Sequence, residues 1–443
     1  MLRWLAVGGL MLGACPPMAH ALDGDADPTF GINGQVTITR PNLKFPATTA
    51  PTGDLALLPD GRYLWAQPLG DGSLWVGRAF RDGSPDTGFG SDSSGRVTLT
   101  ACTALRAANL VANADGGAVV WTGACLLRLT ANGSIDATFG AGPQPPAGLR
   151  SGGLVRDSSG RFVLAGSSAQ NWLVYRFDAN GVADATFGTA GAVEVNVPAT
   201  NNVRELRTVS VRSDGHILTA GSRGNTHGPN LVVVQLQEDG SLDPAWNANG
   251  IVDITAPNGF SSAYANAIAV DEDGSLVVSG MGSNGVVNCC MLLARFDTAG
   301  QLVPSFGLRL FQLAGAPNLF PFFEQRDGLA LLPNHRIMMA TISFPFTAPF
   351  GHRTQYTLVR TFADGEVDAS FGHGGWNSFT IADPVAAGQT GDYEQGHAIA
   401  YERDSDSMLI FGRTFFEDNS TGDDYVSLVR SRFDLIFADG VDR

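Results

Sequence analysis

Short apolar runs alternate with polar turns along the whole chain, and the arrangement recurs seven times. In one unit, the apolar run 267–270 is followed by Asp273-Gly274 and a second apolar run, 275–280. An Asp-Gly pair between two apolar runs indicates a β-hairpin, because these residues tolerate the positive φ of a tight turn. A third apolar run and a short alternating run complete the unit. Four antiparallel strands per unit are therefore predicted.

An aromatic residue, usually in a Phe-Gly pair, recurs at intervals of 48 to 65 residues. The seven aromatic residues are Phe30, Phe89, Phe139, Phe187, Trp246, Phe306 and Phe371. Four short strands in a unit of about this length are typical of a propeller blade. We predict an all-β fold consisting of a single seven-bladed β-propeller, with four short antiparallel strands per blade. An open array or two smaller propellers fits less well, because no Pro- or Ser-rich linker interrupts the repeats.

The linker before each aromatic residue has a fixed length. In four copies an arginine precedes an aspartate by eight residues, and the aromatic residue follows three positions later. These pairs are Arg78 and Asp86, Arg128 and Asp136, Arg176 and Asp184, and Arg360 and Asp368. We interpret them as structural ion pairs, with the aromatic residue filling the gap between neighbouring blades. The alternative is a ring of arginines that lines the central channel and binds an anion.

The two ends of the chain carry complementary halves of this motif. Asp27 and Phe30 have no arginine before them, and Arg430 has no aspartate after it. We therefore predict that Arg430 reaches Asp27 and that the N-terminal strand completes the C-terminal blade, which closes the ring.

Two internal copies break the motif. Gln235 stands where Asp243 should have its arginine, and Val303 stands where Arg295 should have its aspartate. Unmatched charges in a ring of matched ones can mark a ligand site. Arg295 and Asp243 are therefore candidate ligand-binding residues.

Residues 1–21 have the pattern of a signal peptide. Arg3 precedes a short apolar stretch, and Ala19 and Ala21 place small residues at the positions that a signal peptidase reads. The predicted organisation is a signal peptide at 1–21, the propeller at 22–433 and a C-terminal tail at 434–443. The alternative is lipidation of Cys15, which would anchor the protein to a membrane. No transmembrane helix is expected in the mature chain.

The remaining cysteines suit an exported protein, in which disulfides can form. Cys102 and Cys125 lie in one repeat on segments that read as strands, and we predict that they pair. Cys289 and Cys290 are adjacent. Three interpretations stay open: a vicinal disulfide, a pairing across to another copy of the repeat, or two small buried side chains at the start of a strand.

The repeated string resembles a known family. Residues 180–191 are a close copy of it, with Asn180-Gly181, Asp184 and Phe187-Gly188 at the spacing that recurs along the chain. This string resembles the bacterial delta-60 repeat family over nearly all of residues 23–433. The resemblance implies a propeller-like fold in an exported or surface protein, and it implies no catalytic residues.

Composition and motifs narrow the function only partly. A net charge of −15 without a basic run argues against nucleic acid as a partner. No cofactor is predicted, although the alternating aspartates of 23–27 resemble the start of a Ca²⁺ loop. We expect a monomeric, exported, non-catalytic binding or scaffold module for an extracytoplasmic protein or glycan. The alternatives are a hydrolase or lyase with its site at the channel mouth, and a structural cell-surface protein.

Overall fold

A computed structural model describes most of the repeat region. The described residues are 23–40, 52–69, 71–102, 108–140, 144–145, 149–168, 171–197, 199, 204–225, 228–256, 260–283, 288–311, 318–320, 328–344, 354–381, 393–415 and 424–433. The predicted signal peptide at 1–21 and the tail at 434–443 lie outside them.

The described strands form seven separate antiparallel sheets, here called blades 1 to 7. The first strand in the sequence, β1 (Gln35–Arg40), belongs to blade 7. Blade 1 contains β2 (Asp54–Leu57), β3 (Tyr63–Pro68), β4 (Leu74–Ala79) and β5 (Arg96–Leu99). Blade 2 contains β6 (Asn109–Ala112), β7 (Ala118–Trp121) and β8 (Leu126–Leu129). Blade 3 contains β9 (Arg150–Arg156), β10 (Phe162–Ser167), β11 (Trp172–Phe177) and β12 (Ala192–Val195). Blade 4 contains β13 (Arg204–Val211), β14 (Ile217–Asn225), β15 (Gly228–Leu236) and β16 (Ile251–Ile254). Blade 5 contains β17 (Ser262–Val270), β18 (Leu276–Ser283), β19 (Asn288–Phe296) and β20 (Leu308–Phe311). Blade 6 contains β21 (Asn318–Phe320), β22 (Leu329–Leu331), a 3₁₀ turn at Pro333–His335, β23 (Ile337–Phe344), β24 (Gln355–Thr361) and β25 (Trp376–Phe379), and blade 7 contains β26 (Tyr393–Glu402), β27 (Ser407–Phe415) and β28 (Asp424–Arg432).

The first strands of the blades contact one another in a closed cycle. Contacts run from β2 to β6, β9, β13, β17, β22 and β26, and from β26 back to β2. The first strand of each blade is therefore the innermost one, and the seven of them surround the axis of the ring. This arrangement confirms the predicted seven-bladed propeller.

The ring closes as the sequence predicts. Strand β1 pairs antiparallel with β28, from Gln35 opposite Val429 to Arg40 opposite Asp424. The N-terminal strand thus becomes the outermost strand of the C-terminal blade, in the sheet order β1-β28-β27-β26. Closure leaves no edge between the first and the last blade.

Seven hydrophobic clusters hold the blades together, one at each interface between neighbours. Each cluster contains one repeat aromatic residue. These are Phe30 between blades 7 and 1, Phe89 between 1 and 2, Phe139 between 2 and 3, Phe187 between 3 and 4, Trp246 between 4 and 5, Phe306 between 5 and 6, and Phe371 between 6 and 7. All seven side chains are buried. The core of the protein is thus distributed around the ring rather than gathered at its centre.

Two blades depart from four strands. Blade 2 has three strands among the described residues, and Pro143, Pro145 and Pro146 occur where other copies have an alternating run. Proline has no N–H to donate to a ladder, which is unfavourable for a fourth strand. In blade 6, β21 and β22 both pair with β23, so two short strands share the first position.

Candidate functional site

The fixed linker forms the same set of contacts in five blades. The arginine Nε donates to the aspartate Oδ2 at 2.7–2.8 Å, and the guanidinium lies 4.7–4.9 Å from the centre of the repeat phenylalanine ring. The five sets are Arg78, Asp86 and Phe89; Arg128, Asp136 and Phe139; Arg176, Asp184 and Phe187; Arg360, Asp368 and Phe371; and Arg430, Asp27 and Phe30. We call each set a clip.

Each clip arginine also reaches the next blade. Arg78 Nη1, for example, donates to the carbonyl oxygens of Gly116 and Ala131 in blade 2, both at 2.6 Å. The Arg430 guanidinium crosses from blade 7 to the Arg81 carbonyl of blade 1. The clip arginines lie on the third strand of their blades, away from the innermost strands that surround the axis. Their geometry is that of connections between blades, not of a channel lining.

Hydrogen bonds and charge lower the pKa of four clip carboxylates, those of Asp27, Asp86, Asp136 and Asp184. Burial alone would raise the pKa of Asp27, but hydrogen bonds from Thr29 and the charge of Arg430 outweigh it and lower the pKa below its ordinary value of 3.8. The same balance lowers the pKa of Asp86, where Arg62 and Arg78 both donate. At Asp136, hydrogen bonds from Thr138 and Arg128 lower the pKa to about 2.

The acidic segment 23–27 belongs to this system. Asp27 pairs with Arg430, and Asp23 Oδ2 accepts a hydrogen bond from Arg360 Nη2 at 2.6 Å. Gly24 packs against Phe371. A Ca²⁺ ion in this segment would compete with two guanidinium groups for its carboxylates.

The two incomplete copies find other partners on the hairpin between the first and second strands of the blade. In blade 4, Gln235 Nε2 donates to Asp243 Oδ2 at 2.7 Å, and Gln235 Oε1 accepts from Arg212 Nε at 3.0 Å. His216 Nε2 lies 3.6 Å from the same carboxylate oxygen. In blade 5, Arg295 Nη2 contacts Asp271 Oδ2. The inference that Asp243 and Arg295 are unpaired is therefore wrong, because Gln235 and His216 contact Asp243, and the hairpin residue Asp271 contacts Arg295.

The hairpin residue after the turn glycine covers the clip carboxylate in several blades. Arg62 Nη1 lies 2.7 Å from Asp86, His216 covers Asp243, and Arg336 Nε lies 3.8 Å from Asp368. In blade 2 this position is Gly117, which has no side chain. A Cβ atom there would lie 2.2 Å from the Leu129 carbonyl oxygen, so the close packing of this hairpin requires glycine.

The clip of blade 2 is also the one most open to solvent. The side chains of Arg128 and Asp136 are 28% and 19% exposed, whereas the other four clip arginines are at most 7% exposed. A cavity of about 440 Å³ adjoins the pair between blades 2 and 3. Its lining includes Asn113, Asp115 and Arg156, the last of which lies over the Phe162 ring at 5.7 Å. We call this cavity the blade 2–3 groove.

Arg156 is the one exposed guanidinium of the groove. It ends strand β9, and among the described residues it has no carboxylate partner. Asp115 Oδ1 accepts the Gly117 N–H at 2.9 Å, which fixes its carboxylate at the groove wall. The linker spacing pointed to Arg128 and Asp136, but not to Arg156, Asn113 or Asp115. A sequence feature of this hairpin is Gly117, where four other blades carry Arg62, Arg161, His216 or Arg336.

A second cavity, of about 460 Å³, lies on the other side of the blade 2 linker. It is lined by the outermost strand of blade 1 and by residues 132–135 of the linker. Arg96 lies over the Trp75 ring at 4.6 Å and occupies much of its aromatic surface. The ring is already covered, so this cavity offers less free side-chain chemistry than the blade 2–3 groove.

The predicted disulfide is present: Cys102 and Cys125 are bonded, and this bond ties the segment after β5 to the turn before β8. Cys290 is buried on β19. The side chain of Cys289 lies outside the described residues, so the vicinal pair stays a prediction.

Comparison with known proteins supports a propeller-repeat family. Segments 122–139 and 212–245 match a family described as a domain of unknown function, DUF5122, beta-propeller. No curated protein gives a significant match. The resemblance to delta-60 repeats stays a prediction.

Several solved structures are similar to this chain. The gluconolactonase XC5397 from Xanthomonas campestris is 15% identical, with 93% of this chain and 97% of that chain covered and a TM-score of 0.38. The BP39L lectin from Burkholderia pseudomallei is 9% identical, with 86% and 96% covered and a TM-score of 0.48. At these identities and TM-scores the likeness carries no argument about this chain. In the part of the chain that the structure describes, no helix is both long and apolar enough to cross a membrane.

Proposed function

We propose that the protein is an exported, non-catalytic binding module that takes up a glycan in the blade 2–3 groove. The observation that carries this proposal is the single open clip. Four clips are buried between blades, while the Arg128–Asp136 pair faces a cavity of about 440 Å³. This volume is within the range of small-ligand sites. A rigid ring with one opened interface has the form of a binding site.

The groove chemistry suits a polar ligand. Arg128 and Arg156 offer planar donors, Asp115 offers a fixed acceptor, and Asn113 can offer both. Sugar hydroxyl groups require donors and acceptors together, and a guanidinium can also bind a uronic acid carboxylate through two hydrogen bonds. A peptide with apolar side chains would find few apolar contacts here. The groove chemistry therefore favours a glycan over an apolar protein segment.

The ionised state of Asp136 does not suit it to the role of general acid in hydrolysis. A glycosidase needs one carboxyl group with a raised pKa to act as a general acid. Asp136 accepts hydrogen bonds from Thr138 and Arg128, and its pKa is lowered to about 2. It stays ionised at neutral pH and cannot donate a proton.

Export is supported by the Cys102–Cys125 disulfide, because such bonds persist in oxidising compartments. The signal-peptide pattern at 1–21 points the same way. Mass spectrometry of the protein recovered from its native host tests this proposal. A mature chain that begins at Leu22 is expected, whereas a lipid-modified Cys15 would replace free export with membrane anchoring, and an intact N-terminus would contradict export.

The binding proposal is tested with an array of neutral and acidic oligosaccharides probed with the purified full chain. Arg156→Ala removes an exposed donor without breaking an ion pair, so the fold should be retained while array binding falls at least tenfold. Arg150→Ala is the matched control, since Arg150 begins the same strand β9 and its side chain is 66% exposed.

Two results would contradict the assignment. Binding that is lost in Arg150→Ala but kept in Arg156→Ala would place the ligand at the other end of β9. An array without any bound glycan, repeated at high protein concentration, would exclude this ligand class.

A further inference from the structure

A side chain crosses every blade interface on the rim that carries the hairpins and linkers. At six interfaces, among the described residues, the crossing group is a guanidinium. The six are Arg78, Arg128, Arg176, Arg212, Arg360 and Arg430. At the seventh interface, between blades 5 and 6, the clip is incomplete because Val303 replaces the aspartate. Here Arg309 of β20 contacts Glu366 in the blade 6 linker at 2.5 Å, and a hydrogen bond between His335 Nδ1 and Asp271 Oδ1, at 2.9 Å, joins the hairpins of the two blades.

His335 stands where five other blades have the glycine of the hairpin turn. The equivalent residues are Gly61, Gly116, Gly160, Gly215 and Gly274. His335 keeps their left-handed backbone, with a φ of 57°, although this conformation is unfavourable for a side chain with a Cβ atom. The substitution places an imidazole against the hairpin of blade 5, where no other described blade carries one at this position.

Three metal-ligating side chains meet at this point. One ligand atom each from Asp271, Asp273 and His335 all lie within 4.8 Å of one another. One ion placed between them can therefore contact all three. The backbone N–H groups of Glu272 and Ser275 donate to Asp271 and Asp273 at 2.8 Å, which fixes both carboxylates.

Arg295 is positioned to orient the site rather than to occupy it. Its Nη2 contacts Asp271 Oδ2, while Oδ1 of the same carboxylate faces His335. Asp271 can thus bind an ion through Oδ1 and keep its contact with Arg295 through Oδ2. Supporting groups of this kind commonly hold metal-binding carboxylates in place. Arg295 Nε is buried without a hydrogen-bond partner, because the aspartate that it would meet is Val303.

We propose that Asp271, Asp273 and His335 bind one divalent transition-metal ion, Zn²⁺ being the best match, and that this ion connects blades 5 and 6. One imidazole nitrogen and two carboxylate oxygens form a ligand set that suits Zn²⁺, with solvent completing a tetrahedral shell. Ca²⁺ and Mg²⁺ prefer sites made only of oxygen. The ion would take the place of the clip that Val303 removes.

The test uses the full chain after treatment with a chelator. Isothermal titration with ZnCl₂ is expected to give one ion per chain, and the midpoint of thermal unfolding is expected to rise with Zn²⁺. CaCl₂ is titrated in parallel and should bind at least tenfold more weakly. Failure of Zn²⁺ to bind, or equal binding of Ca²⁺, would overturn the proposal.

His335→Gly is the decisive variant, because it restores the residue that five other hairpins carry. The metal-free variant should fold and unfold at the same or a higher temperature than the native chain, since the unfavourable backbone conformation is relieved. The Zn²⁺ affinity of this variant should fall by about 100-fold or more. Loss of a group that only supports a ligand lowers metal affinity by about 10- to 100-fold, and this variant loses a ligand itself.

His216→Ala is the matched control. His216 also lies between two carboxylates, 3.0 Å from Asp214 and 3.6 Å from Asp243, but it is not part of the three-residue cluster. The Zn²⁺ affinity of the His216→Ala variant should equal that of the native chain. Undiminished binding in His335→Gly, or an equal loss in His216→Ala, would show that the ion binds elsewhere.

Discussion

The linker glycine and the repeat aromatic residue act as one contact between neighbouring blades. A Cβ atom on Gly181 would lie 2.6 Å from the ring of Phe139, and its φ is 75°. Gly24 occupies the same place against Phe371, with a contact of 2.3 Å. The N-terminal Asp-Gly pair is therefore the seventh copy of the linker glycine. At this scale the glycine is required for two reasons, the backbone conformation and the ring beside it.

Substitution of two glycines separates these reasons. Gly181→Ala should lower the free energy of unfolding by about 2–4 kcal/mol, because it combines a left-handed alanine with a clash against a buried ring. Gly61→Ala has the same backbone conformation but open space, with its nearest neighbour 3.8 Å away, and should cost about 1–2 kcal/mol. Urea unfolding of both variants measures the difference. Equal losses would show that the ring contact is unimportant.

Trp246 illustrates a residue-scale compensation. It stands where the other copies have phenylalanine, in the blade in which Gln235 takes the place of the clip arginine, and it is buried. Glutamine is shorter than arginine and carries no guanidinium to lie over a ring, so a larger indole suits the space. The sequence shows both changes in the same repeat, and the structure shows that the indole is buried in the cluster between blades 4 and 5.

At the scale of elements, the clip converts two separate sheets into one unit. The arginine on the third strand joins its own linker to the next blade, and the aromatic residue fills the space between them. The closing clip does the same for the two chain ends, through Arg430 and Asp27. Since every blade has two neighbours, loss of one clip should weaken the whole ring.

The buried closing clip should contribute far more to stability than the open one. Arg430→Met leaves Asp27 buried without its partner and should lower the free energy of unfolding by about 3–5 kcal/mol. Arg128→Met acts on a carboxylate that is already partly solvated, and should cost far less than Arg430→Met. Chemical denaturation of the two variants provides the comparison. Similar losses would mean that burial does not determine the strength of the clips.

Element boundaries were less predictable than element number. Each repeat predicts four strands, yet blade 2 has three among the described residues and blade 6 has five. Local patterns do not report these changes well, because a fourth strand also needs a partner edge at the right distance. The prolines at 143, 145 and 146 are a local signal against a fourth strand, and none occurs among the described residues of blade 2. The extra strand of blade 6 arises because β21 and β22 both pair with β23.

At the scale of the molecule, the low pKa values of the clip carboxylates link stability to pH. The pKa of Asp27, Asp86, Asp136 and Asp184 lies below 3.8 in the folded protein. Such groups bind protons more readily when unfolded, so their stabilising effect is present above the unfolded pKa and disappears as the pH falls through the folded pKa.

We therefore expect the free energy of unfolding to fall steeply once the pH drops below about 4. Urea unfolding at a series of pH values measures this change. In Asp27→Asn the amide does not titrate, so the decline should be shallower than in the native chain. A native chain whose stability is constant down to about pH 2 would contradict this linkage.

The sequence by itself determined the architecture: four-stranded units, seven of them, one aromatic residue per interface, and closure through Asp27 and Arg430. These features repeat at fixed spacing, and each depends on residues that are close in the chain or matched at its ends. The tertiary structure decided which clip is open and which partners the broken copies use. Arg62 covers Asp86, Asp136 is partly exposed, and His335 reaches Asp271 across a blade interface. Such contacts join side chains from hairpins and linkers far apart in the chain, so their distances and burial follow only from how the blades pack.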